Sequence, residues 1–147
     1  MNNNTIIDAN NLILGRMAST VAKRLLLGEK ITIINAEKAV ISGKFHQIIN
    51  SYKDRMNIRT FTNPLKGPFH ARKPDRIVRR TIRGMLPWKK PRGKKAYHKL
   101  KVYIGCPDEL NIDSNEIETI EEASLSRLKE KFIHISDLVA HIGEMKY

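Results

Sequence analysis

The chain has 147 residues, of which 41% are apolar and 6% aromatic, and its formal net charge is +12 at pH 7. This size and apolar content exclude a wholly disordered chain, the single cysteine excludes an internal disulfide, and no apolar stretch approaches the roughly 20 residues that span a bilayer. Because the N-terminus also lacks a signal-peptide pattern, composition predicts a soluble intracellular domain that binds a polyanion, with nucleic acid favoured over an anionic membrane surface.

The first 60 residues alternate between strand and helix patterns. Residues 5–8 are a short apolar strand candidate, residues 14–26 repeat apolar side chains at helical spacing, and Gly28 is placed to end that helix. Residues 31–34 are mostly β-branched, as in a strand buried on both faces. This order predicts a βαβ unit with a parallel sheet. Ser42 then predicts the cap of a second helix, whose apolar stripe runs from Phe45 to Met56.

A third helix is predicted to begin at Pro74 and Asp75, which suit a first helical turn. At about 100° per residue its apolar positions cover an arc of about 140°; they are Ile77, Val78, Thr81, Ile82 and Met85. The opposite side carries four arginines within about 100°: Arg76, Arg79, Arg80 and Arg83. A solvated helix face normally mixes acidic with basic residues, and this one has no acid. The pattern therefore favours a phosphate-facing surface over an ordinary solvated face.

A basic loop is predicted from Gly84 to Gly93, and it contains Trp88. Two interpretations of Trp88 remain open, a core side chain or a platform on which an unpaired base stacks. A short helix over residues 94–101 and a buried strand over residues 102–104 follow. Ser136 predicts the cap of a final helix that ends at Gly143.

The positive charge is concentrated in one part of the chain. Residues 44–101 hold 18 Lys/Arg and two Asp/Glu, whereas residues 102–147 hold four Lys/Arg and ten Asp/Glu. Within a single domain spanning 1–147, residues 60–101 are therefore predicted to form a basic extension that contacts RNA, and the acidic end to face solvent or a basic protein. The predicted RNA-binding residues are Arg16, Lys44, Lys66, Arg72, Lys73, Arg76, Arg79, Arg80, Arg83, Trp88, Lys89, Lys90, Arg92, Lys94, Lys95, His98 and Lys99.

Motifs for nucleotide or metal chemistry are incomplete in this chain. Gly15 has no second glycine before Gly28, so the dinucleotide fingerprint fails, and Gly43-Lys44 lacks the first glycine and the Ser/Thr of a P-loop. The five histidines show no zinc-binding spacing. The sequence thus predicts no catalytic residue, cofactor or metal. A nucleotide-binding enzyme stays open through Gly15-Arg16 near a helix N-terminus, and a chromatin or DNA binder is a third possibility.

The ordered landmarks of the chain resemble a known family. They include Leu14-Gly15-Arg16-Met17-Ala18-Ser19, Ile33-Ile34-Asn35-Ala36-Glu37, Ser42-Gly43-Lys44 and, most specific of all, Arg79-Arg80-Thr81-Ile82-Arg83-Gly84-Met85-Leu86-Pro87. This set is similar to protein thirteen of the large ribosomal subunit, in its archaeal and eukaryotic branch. Residues 104–109 depart from the bacterial pattern of that family, and the short chain favours an archaeal member.

The resemblance implies a three-layer α/β/α domain with a mostly parallel central sheet and a basic helical and loop extension that clasps large-subunit ribosomal RNA. It implies a structural, non-enzymatic constituent of the large subunit that joins early in assembly. The protein would be a monomer within the cytoplasmic ribosome, beside other large-subunit proteins and without a membrane partner. Some eukaryotic relatives also bind messenger RNA and repress translation.

Overall fold

A computed structural model describes residues 4–107 and 117–143 of the chain. The strands are β1 (Asn4–Asp8), β2 (Lys30–Ile34), β3 (Val40–Ser42), β4 (Leu100–Val102), β5 (Ile117–Glu118) and β6 (Phe132–His134). The helices are α1 (Leu14–Leu27), α2 (Phe45–Asn57), α3 (Pro74–Met85), α4 (Pro91–His98) and α5 (Ile135–Ile142).

Four of these strands form a parallel sheet in the order β4-β2-β1-β5. Thr5 lies opposite Ile31 and Asp8 opposite Ile34, which confirms the predicted βαβ unit. Ile33 and Ile34 point to opposite faces of β2 and both are buried, so the sheet is covered on both sides. The predicted three-layer α/β/α fold is confirmed. Strands β3 and β6 pair separately and antiparallel.

Helix α1 forms because its apolar residues share one face. Met17, Val21 and Leu25 are buried in the core, and the helix ends where Gly28 adopts a φ of 107°. That left-handed conformation suits glycine, and the Gly28 amide donates to the carbonyls of Arg24 and Leu25. The predicted helix stop is therefore confirmed.

Helices α3 and α4 pack on α1 and carry part of the core. Ile77, Val78 and Ile82 of α3 are buried, and so is Ala96 of α4. A Cβ atom at Gly93 would lie 2.2 Å from the carbonyl oxygen of Pro87, so the first turn of α4 packs tightly against the α3–α4 loop. The segment that carries the basic residues is thereby fixed to the body of the domain, while the boundaries 60–101 stay a prediction.

Both predicted serine caps are wrong. Ser42 is the last residue of β3, where it pairs with Phe132, and α2 begins after Lys44 without a side-chain cap. Ser136 lies inside α5, which follows β6 directly. Strand pairing in β3 overrides the local capping preference of Ser42. Because α5 begins directly after β6, Ser136 falls inside the helix and does not cap it.

The boundaries after α3 also differ from the prediction. Helix α4 starts at Pro91, a favoured first helical position, and it stops before Leu100, which belongs to β4. The loop is therefore shorter than residues 84–93. Ile104 lies beyond β4 and is 52% exposed, so the predicted buried strand ends too late. Met85 ends α3 and is 43% exposed, so it does not belong to the apolar face.

Candidate nucleic-acid interface

The structure places four arginines on one side of α3, opposite its buried residues. They line a surface depression of about 310 Å³ together with His70 and Tyr97. We call these four residues the arginine face; its members are Arg76, Arg79, Arg80 and Arg83. Because the other side of α3 is held in the core by Ile77, Val78 and Ile82, the arginine face cannot turn inward without unpacking the helix.

Neutral groups position three of these guanidinium groups. The Arg79 guanidinium carbon lies 5.1 Å from the centre of the Tyr97 ring, and that of Arg83 lies 5.0 Å from the centre of the Trp88 ring. Arg80 donates a hydrogen bond to the carbonyl oxygen of Phe69. Cation–π contacts and a carbonyl acceptor restrain a guanidinium without cancelling its charge. The arginine face is thus ordered and still fully cationic.

No carboxylate neutralises the arginine face within residues 4–107 and 117–143. The ion pairs in this part of the chain join Arg24 to Glu29 and to Glu118. Asp75 is the one carboxylate of α3, and it forms no ion pair with an arginine there. Four like charges on about two turns of one helix raise the local potential, which attracts an external polyanion.

Trp88 is not a core side chain. It is 36% exposed, and its ring meets the Tyr97 ring edge to face, with centroids 5.2 Å apart and an interplanar angle of 87°. Arg83 covers part of the ring. Trp88 therefore extends the arginine face with an aromatic surface that is partly open, and base stacking on it stays a prediction.

The α3–α4 loop and α4 add further positive charge beside the arginine face. Five predicted side chains are exposed here: Lys89, Lys90, Lys94, Lys95 and His98. Lys99 donates from Nζ to the carbonyl oxygen of Gly28 at 2.8 Å, and Arg92 reaches the carbonyl oxygen of Leu26 at 3.4 Å. These two cations therefore also serve the C-terminal end of α1, where cations are favoured by the helix dipole.

The remaining predicted residues lie elsewhere on the surface and do not line the depression. Arg16 is exposed on the first turn of α1, and Lys44 precedes the first residue of α2. Lys73 precedes α3, and Arg72 reaches the carbonyl oxygen of Gly143 at 3.5 Å. Lys66 ends a short exposed turn before Gly67.

Comparison with known proteins identifies the family. Residues 2–109 match the family described as Ribosomal protein L13. The chain belongs to the ribosomal protein L13 family. It is 43% identical over 141 residues to large ribosomal subunit protein uL13 of Archaeoglobus fulgidus, covering 95% of this chain and 87% of that protein.

Other members of the ribosomal protein L13 family are similarly close. The Methanococcoides burtonii protein of the same name is 46% identical over 95% of this chain and 97% of its own length. The Methanosphaera stadtmanae protein of the same name is 52% identical over 120 residues, which cover 81% of this chain and 83% of that protein. The predicted resemblance to this family, and to its archaeal members, is confirmed. The chain is a structural constituent of the large subunit of the cytoplasmic ribosome and not an enzyme.

Sequence reasoning missed the residues that organise the arginine face. His70 lines the depression, and Phe69 accepts from Arg80, yet both come from a Pro- and Gly-punctuated segment without periodicity. Tyr97 is half-buried, packs against the core and lies beneath Arg79, a contact that the short helix predicted over residues 94–101 did not reveal. Arg79 Nε, His70 Nε2 and the carboxylate oxygen Asp75 Oδ1 are buried without a hydrogen-bond partner among the described residues.

Two general findings complete the description of this surface. Among the residues that the structure describes, no helix is long and apolar enough to cross a membrane. No group of three or more His, Cys, Asp or Glu side chains could hold a metal ion in the same part of the chain.

Proposed function

We propose that this chain binds large-subunit ribosomal RNA through the arginine face, the α3–α4 loop and the exposed side of α4. The observation that carries the proposal is the set of arginines held by Tyr97, Trp88 and Phe69 rather than by carboxylates. An arginine already paired with an acid would have to break that pair before meeting a phosphate. These arginines meet the phosphate at no such cost, so most of the Coulomb attraction contributes to RNA binding.

Guanidinium groups suit this task because their donors form a planar fork. Such a fork can bind two oxygens of one phosphate, with charge-assisted hydrogen bonds. Cation–π contact with Tyr97 and Trp88 occupies one face of the Arg79 and Arg83 guanidinium planes, whereas the donors point outward in the plane; Arg79 Nε is buried, so the terminal donors of Arg79 are the ones proposed to meet the ligand. Contacts of this type fix position and orientation on RNA and do not by themselves read sequence.

The lysines of the loop and of α4 extend the phosphate-binding surface. Lys89, Lys90, Lys94 and Lys95 are exposed, and each is a flexible point charge that tolerates variation in the RNA path. Arg92 and Lys99 contribute less because the C-terminal carbonyls of α1 already use some of their donors. Trp88 offers the open part of its ring to a base or a ribose.

The proposal includes early entry into large-subunit assembly, as the family resemblance implies. A domain whose basic surface is preformed on a packed core can bind RNA before its protein neighbours arrive, since the surface needs no further folding. Messenger RNA could use the same surface because phosphate contacts are independent of sequence. The acidic C-terminal part is the side proposed to meet basic ribosomal proteins.

The salt dependence of RNA binding tests the proposal. With about eight phosphates contacted, the logarithm of the association constant for large-subunit RNA fragments should fall against the logarithm of salt concentration with a slope of about −6. A slope near zero would contradict it. Duplex DNA added as competitor separates the chromatin alternative, which requires equal competition by DNA. Calorimetry with free nucleotides separates the enzyme alternative, which requires micromolar binding at one site.

A further inference from the structure

A second, more enclosed cavity lies beside the arginine face, between α2 and α3. Its volume is about 220 Å³, and we call it the α2–α3 pocket. Tyr52 and Arg55 line it from α2, and Ile77 and Thr81 line it from α3. Ile77 is only 4% exposed, so the pocket reaches down to the hydrophobic core.

The α2–α3 pocket and the arginine-face depression are neighbours with shared walls. His70, Ala71 and Arg80 line both. The depression is lined by four guanidinium groups, whereas the adjoining pocket combines two guanidinium groups, Arg55 and Arg80, with the aromatic Tyr52 and the apolar Met56 and Ile77. A nucleotide has a similar division, with a charged phosphate on one side and on the other a flat base that stacks on aromatic and guanidinium planes.

The chemistry of the pocket walls suits a flat heteroaromatic ring. The Arg55 guanidinium carbon lies 5.3 Å from the centre of the Tyr52 ring, so two planar groups stand together at the pocket wall. Bases stack on both kinds of surface. Burial raises the pKa of the Tyr52 hydroxyl above its ordinary value, against the opposing effect of the Arg55 charge. His70 Nε2 is buried and has no hydrogen-bond partner among the described residues.

The volume limits what can enter. Pockets for drug-sized ligands are typically about 300–1,000 Å³, and this one is smaller at about 220 Å³. A single planar base fits such a space better than a larger ligand or a protein segment. Without a partner, the buried imidazole nitrogen of His70 is costly, and the edge of a base carries both donors and acceptors, so it can pair with this nitrogen in either tautomer.

We infer that the α2–α3 pocket binds one unpaired nucleobase of the same RNA whose phosphates lie on the arginine face. This inference rests on the proposed function. Base insertion would add to phosphate contacts a preference for RNA with a base free to leave its stack, such as a bulge or a loop. The structure thereby assigns a role in RNA recognition to Tyr52, Arg55 and His70, which the sequence did not mark.

Three synthetic RNA hairpins test the inference with the unmodified protein. They share one stem and carry a single bulged base, an abasic residue at the same bulge, or no bulge. The base-bearing bulge should bind about tenfold more tightly than the abasic one, because one stacked base contributes roughly this factor. The abasic hairpin controls for the shape and flexibility that any bulge adds.

Two variants locate the preference in the pocket. Tyr52→Leu removes the stacking surface but keeps an apolar side chain, so the preference for the base-bearing bulge should fall to about twofold or less. Asn50→Leu, at an exposed position of the same helix, should keep it. Arg79→Ala should weaken binding to all three hairpins by a similar factor, since Arg79 lines the arginine-face depression and not the α2–α3 pocket.

The outcomes separate the inference from the function on which it rests. Equal affinity for base-bearing and abasic bulges, with salt-dependent binding to all hairpins, overturns the base pocket and leaves the proposed function intact. Loss of measurable binding to every hairpin and to large-subunit RNA fragments overturns both. If Tyr52→Leu does not fold, the comparison of the two bulges with unmodified protein still decides.

Discussion

Arginine has different partners, and a different role, in two regions of this molecule. Arg24 on α1 donates from Nε to Glu29 at 2.8 Å and from Nη1 and Nη2 to Glu118 at 2.8 and 3.0 Å. Its pKa is raised, above all by the hydrogen bond with Glu118, against the opposing effect of burial. Arg79 and Arg83 on α3 instead lie over the rings of Tyr97 and Trp88, and neither forms an ion pair with the residues that the structure describes.

The difference shows that the partner, and not the residue type, decides what an arginine contributes. Glu118 lies in β5, so its ion pair with Arg24 connects the edge strand of the sheet to α1. The charge of Arg24 is therefore neutralised within the fold. The arginine face has neutral partners, so its charge remains for a ligand. The predictions below test this contrast from the largest expected effect to the smallest.

The Ile82→Ala substitution tests whether packing of α3 in the core supports the arginine face. Ile82 is fully buried, and its truncation leaves a cavity beneath α3, so the free energy of unfolding should fall by about 2–5 kcal/mol. Chemical denaturation measures this loss. A change below about 1 kcal/mol would show that α3 is not anchored in the core as described.

Arg79→Ala with Arg83→Ala removes half of the arginine face. Each lost charge-assisted contact should weaken RNA binding by about tenfold to a hundredfold, because such hydrogen bonds contribute about 1.5–3 kcal/mol. The free energy of unfolding should fall by about 1 kcal/mol per residue or less, the cost of an exposed cation–π contact. Filter binding and thermal unfolding report the two effects. Unfolding of the double variant would instead assign these arginines to the fold.

Arg24→Ala is the matched control from the other region. Because it breaks the contacts with Glu29 and Glu118, we expect a loss of about 1 kcal/mol in the free energy of unfolding. RNA affinity should change less than twofold, since Arg24 carries no unneutralised charge. A fall in affinity as large as that of the arginine-face variant would remove the distinction between the two regions.

Arg83→Lys should give the smallest effect. It keeps the charge and loses the planar group that lies over Trp88, so RNA affinity should fall by about twofold to threefold and less than in Arg83→Ala. Quantitative competition between the two variants resolves such a difference. Equal losses for lysine and alanine would mean that the planar fork, not the charge, carries the contact.

The sequence was sufficient for the parts of the fold governed by local periodicity. The alternation of apolar and arginine positions predicted both faces of α3, and the β-branched run 31–34 predicted a strand buried on both sides. Both signals come from side chains a few positions apart, so they need no knowledge of distant contacts. The family landmarks, such as residues 79–87, are similarly continuous in sequence.

The sequence could not predict features that depend on distant residues. Ser42 looks like a helix cap, but its backbone pairs with Phe132, about 90 positions away. Tyr97 and Phe69 hold arginines of α3 from separate segments, and the α2–α3 pocket exists only because α2 packs near α3. Tertiary contacts of this kind override the local preference of a residue for a cap, a helix or a strand. A single sequence contains no local pattern from which they can be predicted.

The most direct test compares salt dependence in the two arginine variants on the same large-subunit RNA fragment. The slope of log affinity against log salt should become shallower by about 1.4 for Arg79→Ala with Arg83→Ala, since two phosphates at about 0.7 each are lost. For Arg24→Ala the slope should match the unmodified protein. An unchanged slope in the arginine-face variant, or an equal reduction in both variants, would contradict the claim that the arginine face keeps its charge for RNA.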